Sequence, residues 1–326
     1  MFDTQLILAN LTSPAVLCFI IGAVAALLKS DLRVPAQVHE SIAMFLLFSI
    51  GLKGGIALSH TSFEALLSPM VATLILGILT PLISYGLARR FGRLSVIDAA
   101  AVAAHFGSVS AVTFMAALNF ANQSGISFEG FMTALLVLLE IPGIVIALAL
   151  AGYLNQEKKI SLRHVVQEAL TGKSVVLLTG GLLVGLLADP AGVKAISLVF
   201  ITPFQGVLVF FLLEMGVVAA TRFREARASL PFMLTFGTLV PLMFGLMGVV
   251  AGELAGLSAG GAAILATMAA SASYIAAPAA VRMALPEANP GLYLTMSISI
   301  TLPFNIALGI PLYFAFSDMF LSWLGR

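Results

Sequence analysis

Two short stretches of small polar residues interrupt an otherwise apolar sequence and have the chemistry to bind a small anion. They read GSVSAVT at 107–113 and SASYIAAP at 271–278. Glycine, serine and proline can break the regular hydrogen bonding of a helix. Lipid tolerates this only where the freed backbone groups line a protected cavity or meet neighbouring protein. The start of a half-helix carries partial positive charge and free N–H groups, which suit an anion. The predicted substrate-binding residues are Ser108, Ser110, Thr113, Ser271 and Ser273. The competing interpretation is that these small residues serve close helix packing.

Four ionisable residues lie deep within apolar segments, where such groups are costly and usually functional. Glu140 precedes Pro142, and its carboxylate could bind a cation, carry a proton or act as a structural partner for another buried polar group. Lys53 could pair with Glu140 or Glu214, attract the anion, or extend its ammonium to the membrane interface. We interpret His105 as a packing histidine, with a proton relay as the alternative. For Glu214 we favour an ion pair between the two halves of the chain.

The composition indicates that these residues belong to a membrane protein. Hydrophobic residues make up 60% of the chain and charged residues 10%, whereas a soluble domain carries about 25% charged residues. So few charges cannot cover a surface that faces water, so the solvent of this chain is lipid. The net charge of +1 gives no reason to expect nucleic acid as a partner. The single cysteine, Cys18, excludes an internal disulfide and a thiolate metal site.

Motifs typical of enzymes lack their context, so we predict that the chain is not an enzyme. GKS at 172–174 echoes the end of a phosphate-binding loop, but Gln167 stands where that motif begins with glycine. GLSAG at 256–260 matches the GxSxG pattern around Ser258, yet it lies between two apolar spans and not on a strand-to-helix turn. We interpret it as a flexible connector.

The apolar runs predict an all-α polytopic protein of about ten transmembrane helices, because about 20 apolar residues are needed to cross a bilayer. The predicted spans are 14–29, 37–59, 66–88, 96–121, 129–153, 174–189, 196–221, 229–252, 258–285 and 291–316. With the N-terminus outside, only Lys194 and Arg326 of the 16 lysines and arginines fall outside, and Lys53 falls within a span. This bias follows the positive-inside rule and predicts a multi-pass protein of the cell membrane with both termini outside.

The two halves of the sequence resemble each other at an offset of about 160 residues, which is typical of an internal repeat. GILTPL at 77–82 matches GTLVPL at 237–242, and EIPG at 140–143 matches TLPF at 301–304. Between these pairs, Ser108 and Ser110 match Ser271 and Ser273. Each repeat holds five spans, and an odd number predicts that the second repeat is inverted, with broken fourth helices meeting near the bilayer midplane. The predicted domains are repeat 1 at 1–153, a cytoplasmic linker at 154–173 and repeat 2 at 174–326.

At these residues the chain resembles the sodium-dependent bicarbonate transporter family, the SbtA-type permeases. The resemblance runs, in order, through IGLKGGIAL, FGSVSAVTFMAAL, LLEIPGIV and AASASYIAAPAAVRMALPEANP. It implies two inverted five-helix repeats, a core and a gate domain, a homotrimer, and Na⁺-coupled bicarbonate uptake at the two broken helices. It also implies inhibition by a small PII-like protein from the cytoplasmic side. No cofactor is implied other than Na⁺ as the coupling ion.

Carried over by position, the resemblance places the anion and Na⁺ among the five serine and threonine residues named above, with Na⁺ at Ser110, Glu140 and Ser273. Two departures concern coupling. Tyr274 stands where the family pattern SSSD has a carboxylate, and Lys53 stands where a small polar residue is expected. Losing an anionic ligand and gaining a cation both lower the need for Na⁺. One hypothesis is therefore that Lys53 partly replaces the coupling ion, so that transport is Na⁺-independent or H⁺-coupled.

From the resemblance we expect Na⁺-coupled bicarbonate import, and the two departures make H⁺-coupled or uncoupled transport of another small anion the alternative. Two further classes of protein stay open at this point. One is a channel, although the sequence lacks the ring of like charges that a channel would favour. The second is a transport-deficient receptor for the PII-like regulator, because Tyr274 replaces a carboxylate.

Overall fold

The computed structural model describes residues 4–155, 161–225 and 230–323. Helix accounts for 82% of the structure, and the described residues form no strand. The helices of the first half are α1 (Thr4–Leu11), α2 (Pro14–Leu27), α3 (Ala36–Leu58), α4 (Phe63–Arg90), α5 (Val96–Phe106), α6 (Ala111–Gln123), α7 (Met132–Glu140) and α8 (Pro142–Leu154). Those of the second half are α9 (Leu162–Thr171), α10 (Lys173–Leu187), α11 (Pro190–Phe200), α12 (Phe204–Glu225), α13 (Leu230–Leu254), α14 (Ala259–Ala269), α15 (Ala276–Ala284) and α16 (Pro290–Trp323).

Helix starts follow from short polar side chains that accept hydrogen bonds from the first free backbone N–H groups. Ser13 accepts from Val16 at the start of α2, and Ser62 accepts from Ala65 at the start of α4. Asp189 accepts from the N–H of Gly192 before α11. Such caps fix where each helix begins, and therefore where each connecting segment turns.

Seven helical segments among the described residues are long and apolar enough to cross a membrane, or eight if the bent pair α9 and α10 is one span. Three of the seven consist of two consecutive helices, namely α5 with α6, α7 with α8 and α11 with α12. The seven segments correspond to the predicted spans at 37–59, 66–88, 96–121, 129–153, 196–221, 229–252 and 291–316. The fold is therefore that of a multi-pass helical membrane protein.

The other three predicted spans are present at their predicted positions as shorter helices. Helix α2 has 14 residues, which is about 21 Å of helix at 1.5 Å per residue. Helix α10 has 15 residues, and the predicted span 258–285 is divided into α14 and α15. Among the basic residues used for orientation, Lys158, Lys159, Arg227 and Arg326 lie outside the described residues.

The helices pack in pairs that link the two halves of the chain. Helix α2 packs along α12, and α3 packs along α10. In the second pair the backbones are in close contact, since a β-carbon at Gly181 would lie 2.4 Å from the carbonyl oxygen of Phe48. Small residues permit this approach, as in other membrane helix pairs. Helices α5, α6 and α14 are by contrast buried along almost their whole length, so two interrupted helices form the interior.

Candidate functional site

The first interruption lies between α5 and α6. Helix α5 ends at Phe106, and α6 restarts at Ala111 because the hydroxyl of Ser110 caps it, accepting a 3.2 Å hydrogen bond from the N–H of Thr113. Ser108, Ser110 and Thr113 are all buried. The predicted break is therefore present, with Ser110 as its capping residue.

The second interruption lies between α14 and α15. Helix α14 ends at Ala269, and the hydroxyl of Ser273 accepts a 3.2 Å hydrogen bond from the N–H of Ala277 in the first turn of α15. Ser271 and Ser273 are buried. A serine in each interruption thus performs the same task, as their matched positions in the sequence suggested.

The two interruptions contact each other directly. The N–H of Ser110 donates to Oγ of Ser271 over 2.8 Å, and the N–H of Ser273 donates to the carbonyl oxygen of His105 over 2.8 Å. Backbone groups freed in one helix are therefore satisfied by the other, which is what a break at membrane depth requires. The sequence predicted both breaks, and the structure brings them together.

Helix α8 packs tightly behind the first interruption. The hydroxyl of Ser108 donates a 2.7 Å hydrogen bond to the carbonyl oxygen of Glu140. A β-carbon at Gly143 would lie 1.9 Å from the carbonyl oxygen of Gly107. Ser108 therefore positions the backbone that carries Glu140.

Helix α16 supports the second interruption. It contains π-helical stretches at Thr295–Thr301 and Asn305–Gly309, a feature found often near functional sites. The amide of Asn305 donates a 2.8 Å hydrogen bond to the carbonyl oxygen of Ala270, and Tyr313 donates to the Asn305 oxygen. The end of α14 is thereby held in place by buried hydrogen bonds.

A small cavity of about 10 Å³ lies at the crossing, which is room for about one water molecule. It is lined by Val109, Ser110, Ala111, Glu140, Ser174, Ser273, Tyr274 and Ile275. It combines two hydroxyls from the predicted substrate site with the predicted coupling carboxylate. Ser108 and Ser271 lie behind this lining, and their hydroxyls hold the helices together.

Glu140 supplies the one carboxylate of this cavity. Its side chain is 3% exposed, and its Oε2 atom has no hydrogen-bond partner among the described residues. A buried carboxylate oxygen without a partner is costly unless a cation or a proton joins it. The arrangement is therefore chemically suited to bind a positive ion.

Two further hydroxyls face the cavity without a hydrogen-bond partner in the described part of the chain. They are those of Tyr274 and Ser174. Tyr274 places a neutral hydroxyl in the cavity at the position where the resemblance led us to expect a carboxylate. Ser174 was not predicted as a site residue. The only signal for it in the sequence is the GKS motif, which lacks the first glycine of a phosphate loop.

Of the alternatives considered for Lys53, the described residues show no ion pair with Glu140 or Glu214. The ammonium of Lys53 lies over the ring of Phe204, 4.5 Å from its centroid, and Lys53 does not line the cavity. Glu214 lies beside His39 instead, with 2.8 Å between Oε1 and Nδ1. The Glu214 contact does link the two halves of the chain, but its partner is a histidine on α3.

His105 has the surroundings of a packing histidine. It is fully buried, its Nδ1 lies 2.7 Å from the carbonyl oxygen of Ala101, and its ring lies 4.3 Å from that of Tyr293. Its Nε2 atom has no partner among the described residues. Its backbone contributes more to the crossing than its ring, because its carbonyl accepts from Ser273.

The fold is that of a multi-pass helical membrane protein with a small polar cavity between two broken helices. The chain belongs to the Na⁺-dependent bicarbonate transporter superfamily, whose family model matches residues 14–318. A comparison with curated proteins gives no significant match. The family resemblance seen in the sequence is thereby confirmed over nearly the whole chain.

Proposed function

We propose that the protein imports bicarbonate together with Na⁺, and that both bind where the two broken helices cross. The observation that carries this proposal is the shared cavity of Ser110, Ser273 and Glu140. These are the residues to which the resemblance assigned Na⁺. All three are at most 3% exposed, so a bound ion would be shielded from bulk water.

The Na⁺ ligands in this proposal are oxygen atoms. Hard cations are held by carboxylate, carbonyl and hydroxyl oxygens, and the cavity offers the Glu140 carboxylate beside the Ser110 and Ser273 hydroxyls. Na⁺ would also satisfy the unpartnered Oε2 of Glu140. Among the described residues no group of three or more His, Cys, Asp or Glu could hold a metal ion, so a transition-metal cargo has no support.

The anion would be attracted by two helix N-termini. Ala111, the first residue of α6, lines the cavity, as do Tyr274 and Ile275, which precede α15. Partial positive charge at these helix starts favours a negative ion. The hydroxyls of Tyr274 and Ser174 can donate to its oxygens. The cavity as it stands has room for about one water molecule, so in this proposal the two ions bind together only when the helices around it move apart. Their charges then neutralise each other, which couples their binding.

The packing also supports the ten-span inverted repeat. Arg224 on α12 donates to the carbonyl oxygen of Ala26 near the end of α2, and Gln205 and Pro14 near their starts line one surface cavity. These two helices therefore run parallel. When consecutive spans cross the membrane in alternating directions, spans one and seven, which are α2 and α12, are parallel. Spans two and six, which are α3 and α10, are parallel for the same reason. The two pairs are equivalent in an inverted repeat of five spans.

We further propose that transport moves the broken helices against the unit formed by α2, α3, α10 and α12. In repeat-based transporters, alternating access is a displacement of this kind. Of the cavity lining, Ser174 alone comes from that unit. From the family resemblance we expect a homotrimer, a PII-like cytoplasmic regulator and, from the charge bias, both ends of the chain outside.

Uptake of radiolabelled bicarbonate into proteoliposomes tests the proposal. We expect saturable uptake that requires an inward Na⁺ gradient and is lost in Ser110→Ala. Ser322→Ala, an exposed serine outside the site, is the matched control. Uptake driven by a pH gradient without Na⁺ would assign the coupling to H⁺. Regulator binding without any flux would show that the chain is a receptor.

A further inference from the structure

Glu129 reaches across from the first half of the chain to the start of α14. It lies in the segment between α6 and α7, and its Oε1 accepts a 2.6 Å hydrogen bond from the N–H of Ser258. The Ser258 hydroxyl donates to its Oε2 over 3.1 Å. A β-carbon at Gly261 would lie 1.8 Å from that oxygen. The GLSAG segment, predicted as a flexible connector, is therefore held by a carboxylate.

Asp98 makes the corresponding contact at the start of α5. Its Oδ1 accepts a 2.9 Å hydrogen bond from the N–H of Asn289, in the segment between α15 and α16. Its Oδ2 accepts from the hydroxyl of Ser95, the residue that caps α5. In each half of the chain, the segment that follows the broken helix therefore contacts the first turn of the broken helix in the other half.

Together with the hydrogen bond at the crossing, these contacts join the two broken helices at three places. Glu129 joins α6 to α14 at one end, Asp98 joins α15 to α5 at the other, and Ser110 meets Ser271 in the middle. Carboxylates near helix N-termini are stabilised by the partial positive charge there, and hydrogen bonds to a charged acceptor are stronger than neutral ones.

We propose that Glu129 and Asp98 are positioning residues that hold the two broken helices as one unit and so fix the geometry of the crossing. Neither lines the cavity. Glu129 acts through α14, which its partner Ser258 begins. Asp98 acts through α5, in whose first turn it lies, and its partner Asn289 caps the start of α16. A purely local cap would order the first turn of that helix and leave the crossing unchanged. The two roles are therefore distinguished by whether a substitution changes the crossing or only the first turn of the helix.

Hydrogen–deuterium exchange on the full-length protein in detergent tests the range of the effect. In Glu129→Ala we expect peptides covering 269–277 to exchange about tenfold faster than in the wild type, through loss of a charge-assisted bond. Glu129→Gln keeps an oxygen that can accept from Ser258 and should restore near wild-type exchange. Glu64→Ala removes an exposed carboxylate from the first turn of α4 and is the control. Faster exchange confined to 256–262 in Glu129→Ala would overturn the proposal.

The same variants are then compared in uptake, since the inference rests on the proposed transport site. We expect Glu129→Ala and Asp98→Ala to raise KM for bicarbonate about tenfold, with a smaller change in kcat, and their amide variants to recover most of the loss. An unchanged KM in both alanine variants, with wild-type uptake intact, would overturn the positioning role alone. Absence of uptake in the wild type would overturn the proposed function, while the exchange result would still decide whether the two contacts act on the crossing.

Discussion

The backbone N–H of Ser110 and the hydroxyl of Ser271 are joined by a 2.8 Å hydrogen bond where the two broken helices cross. The same hydroxyl donates onward to the carbonyl oxygen of Met268, also over 2.8 Å. One buried side chain therefore satisfies a freed backbone group in each helix. Its role is to hold the crossing together.

Ser271→Ala removes this connection and should destabilise the protein. The N–H of Ser110 would remain buried without a partner, which costs about 1–3 kcal/mol. We expect a lower midpoint of thermal unfolding in detergent, together with a raised KM for bicarbonate. Ser322→Ala is the control. An unfolding midpoint equal to that of the wild type would show that the crossing does not depend on this hydroxyl.

Ser174→Ala, unlike Ser271→Ala, should weaken bicarbonate binding without lowering the stability of the protein. The Ser174 hydroxyl is buried without a hydrogen-bond partner among the described residues, so its removal leaves no other group unsatisfied. We expect unchanged thermal stability. If the hydroxyl donates to the anion, the loss of about 0.5–1.5 kcal/mol weakens bicarbonate binding about twofold to tenfold. Wild-type affinity in this variant would remove Ser174 from the substrate site.

Gly143→Ala should disrupt the site through the contact between α8 and the first interruption. The added β-carbon would lie 1.9 Å from the carbonyl oxygen of Gly107, so the first interruption or α8 must move. Overpacking of this kind costs about 1–3 kcal/mol. We expect lower stability and loss of uptake, measured by thermal unfolding and bicarbonate flux. Gly180→Ala is the matched control, because a β-carbon there meets nothing within 4 Å. A functional Gly143→Ala protein would contradict the close approach.

The interruptions could be predicted from the sequence because they depend on local chemistry. Serines that cap a restarting helix sit within a few residues of the break, as Ser110 does for Thr113. The matched positions in the two halves then indicated that the breaks meet. Glu140 could be identified because a carboxylate within an apolar run is costly anywhere in the membrane.

The pairing of side chains from distant helices could not be predicted in the same way. The contacts of Lys53 with Phe204 and of Glu129 with Ser258 depend on how the helices pack. Ser174 reaches the cavity only because α10 begins beside the crossing.

Lys53→Met tests whether Lys53 replaces part of the coupling ion. The ammonium lies over the Phe204 ring and not on the cavity, and methionine keeps the apolar stem without the charge. We expect the Na⁺ concentration for half-maximal uptake to stay within about twofold of the wild type, because a cation–π contact at this position is worth about 0.5–2 kcal/mol to folding and not to ion binding. A markedly stronger Na⁺ dependence in this variant would restore the hypothesis that Lys53 substitutes for Na⁺.

Glu140→Gln tests the coupling carboxylate itself. The amide keeps the shape of the side chain and removes its negative charge, so a Na⁺ ion in the cavity loses its one anionic protein ligand. An interaction with a charged group is worth about 1.5–3 kcal/mol, which corresponds to a rise of about tenfold to hundredfold in the Na⁺ concentration for half-maximal uptake. Glu64→Gln, on the exposed first turn of α4, is the control.

The stability of Glu140→Gln in the absence of Na⁺ should equal or exceed that of the wild type, because an unpartnered buried charge has been removed. Wild-type Na⁺ dependence in Glu140→Gln would show that the cation binds elsewhere. Loss of a response to pH, with no Na⁺ response in either protein, would instead identify Glu140 as a proton carrier.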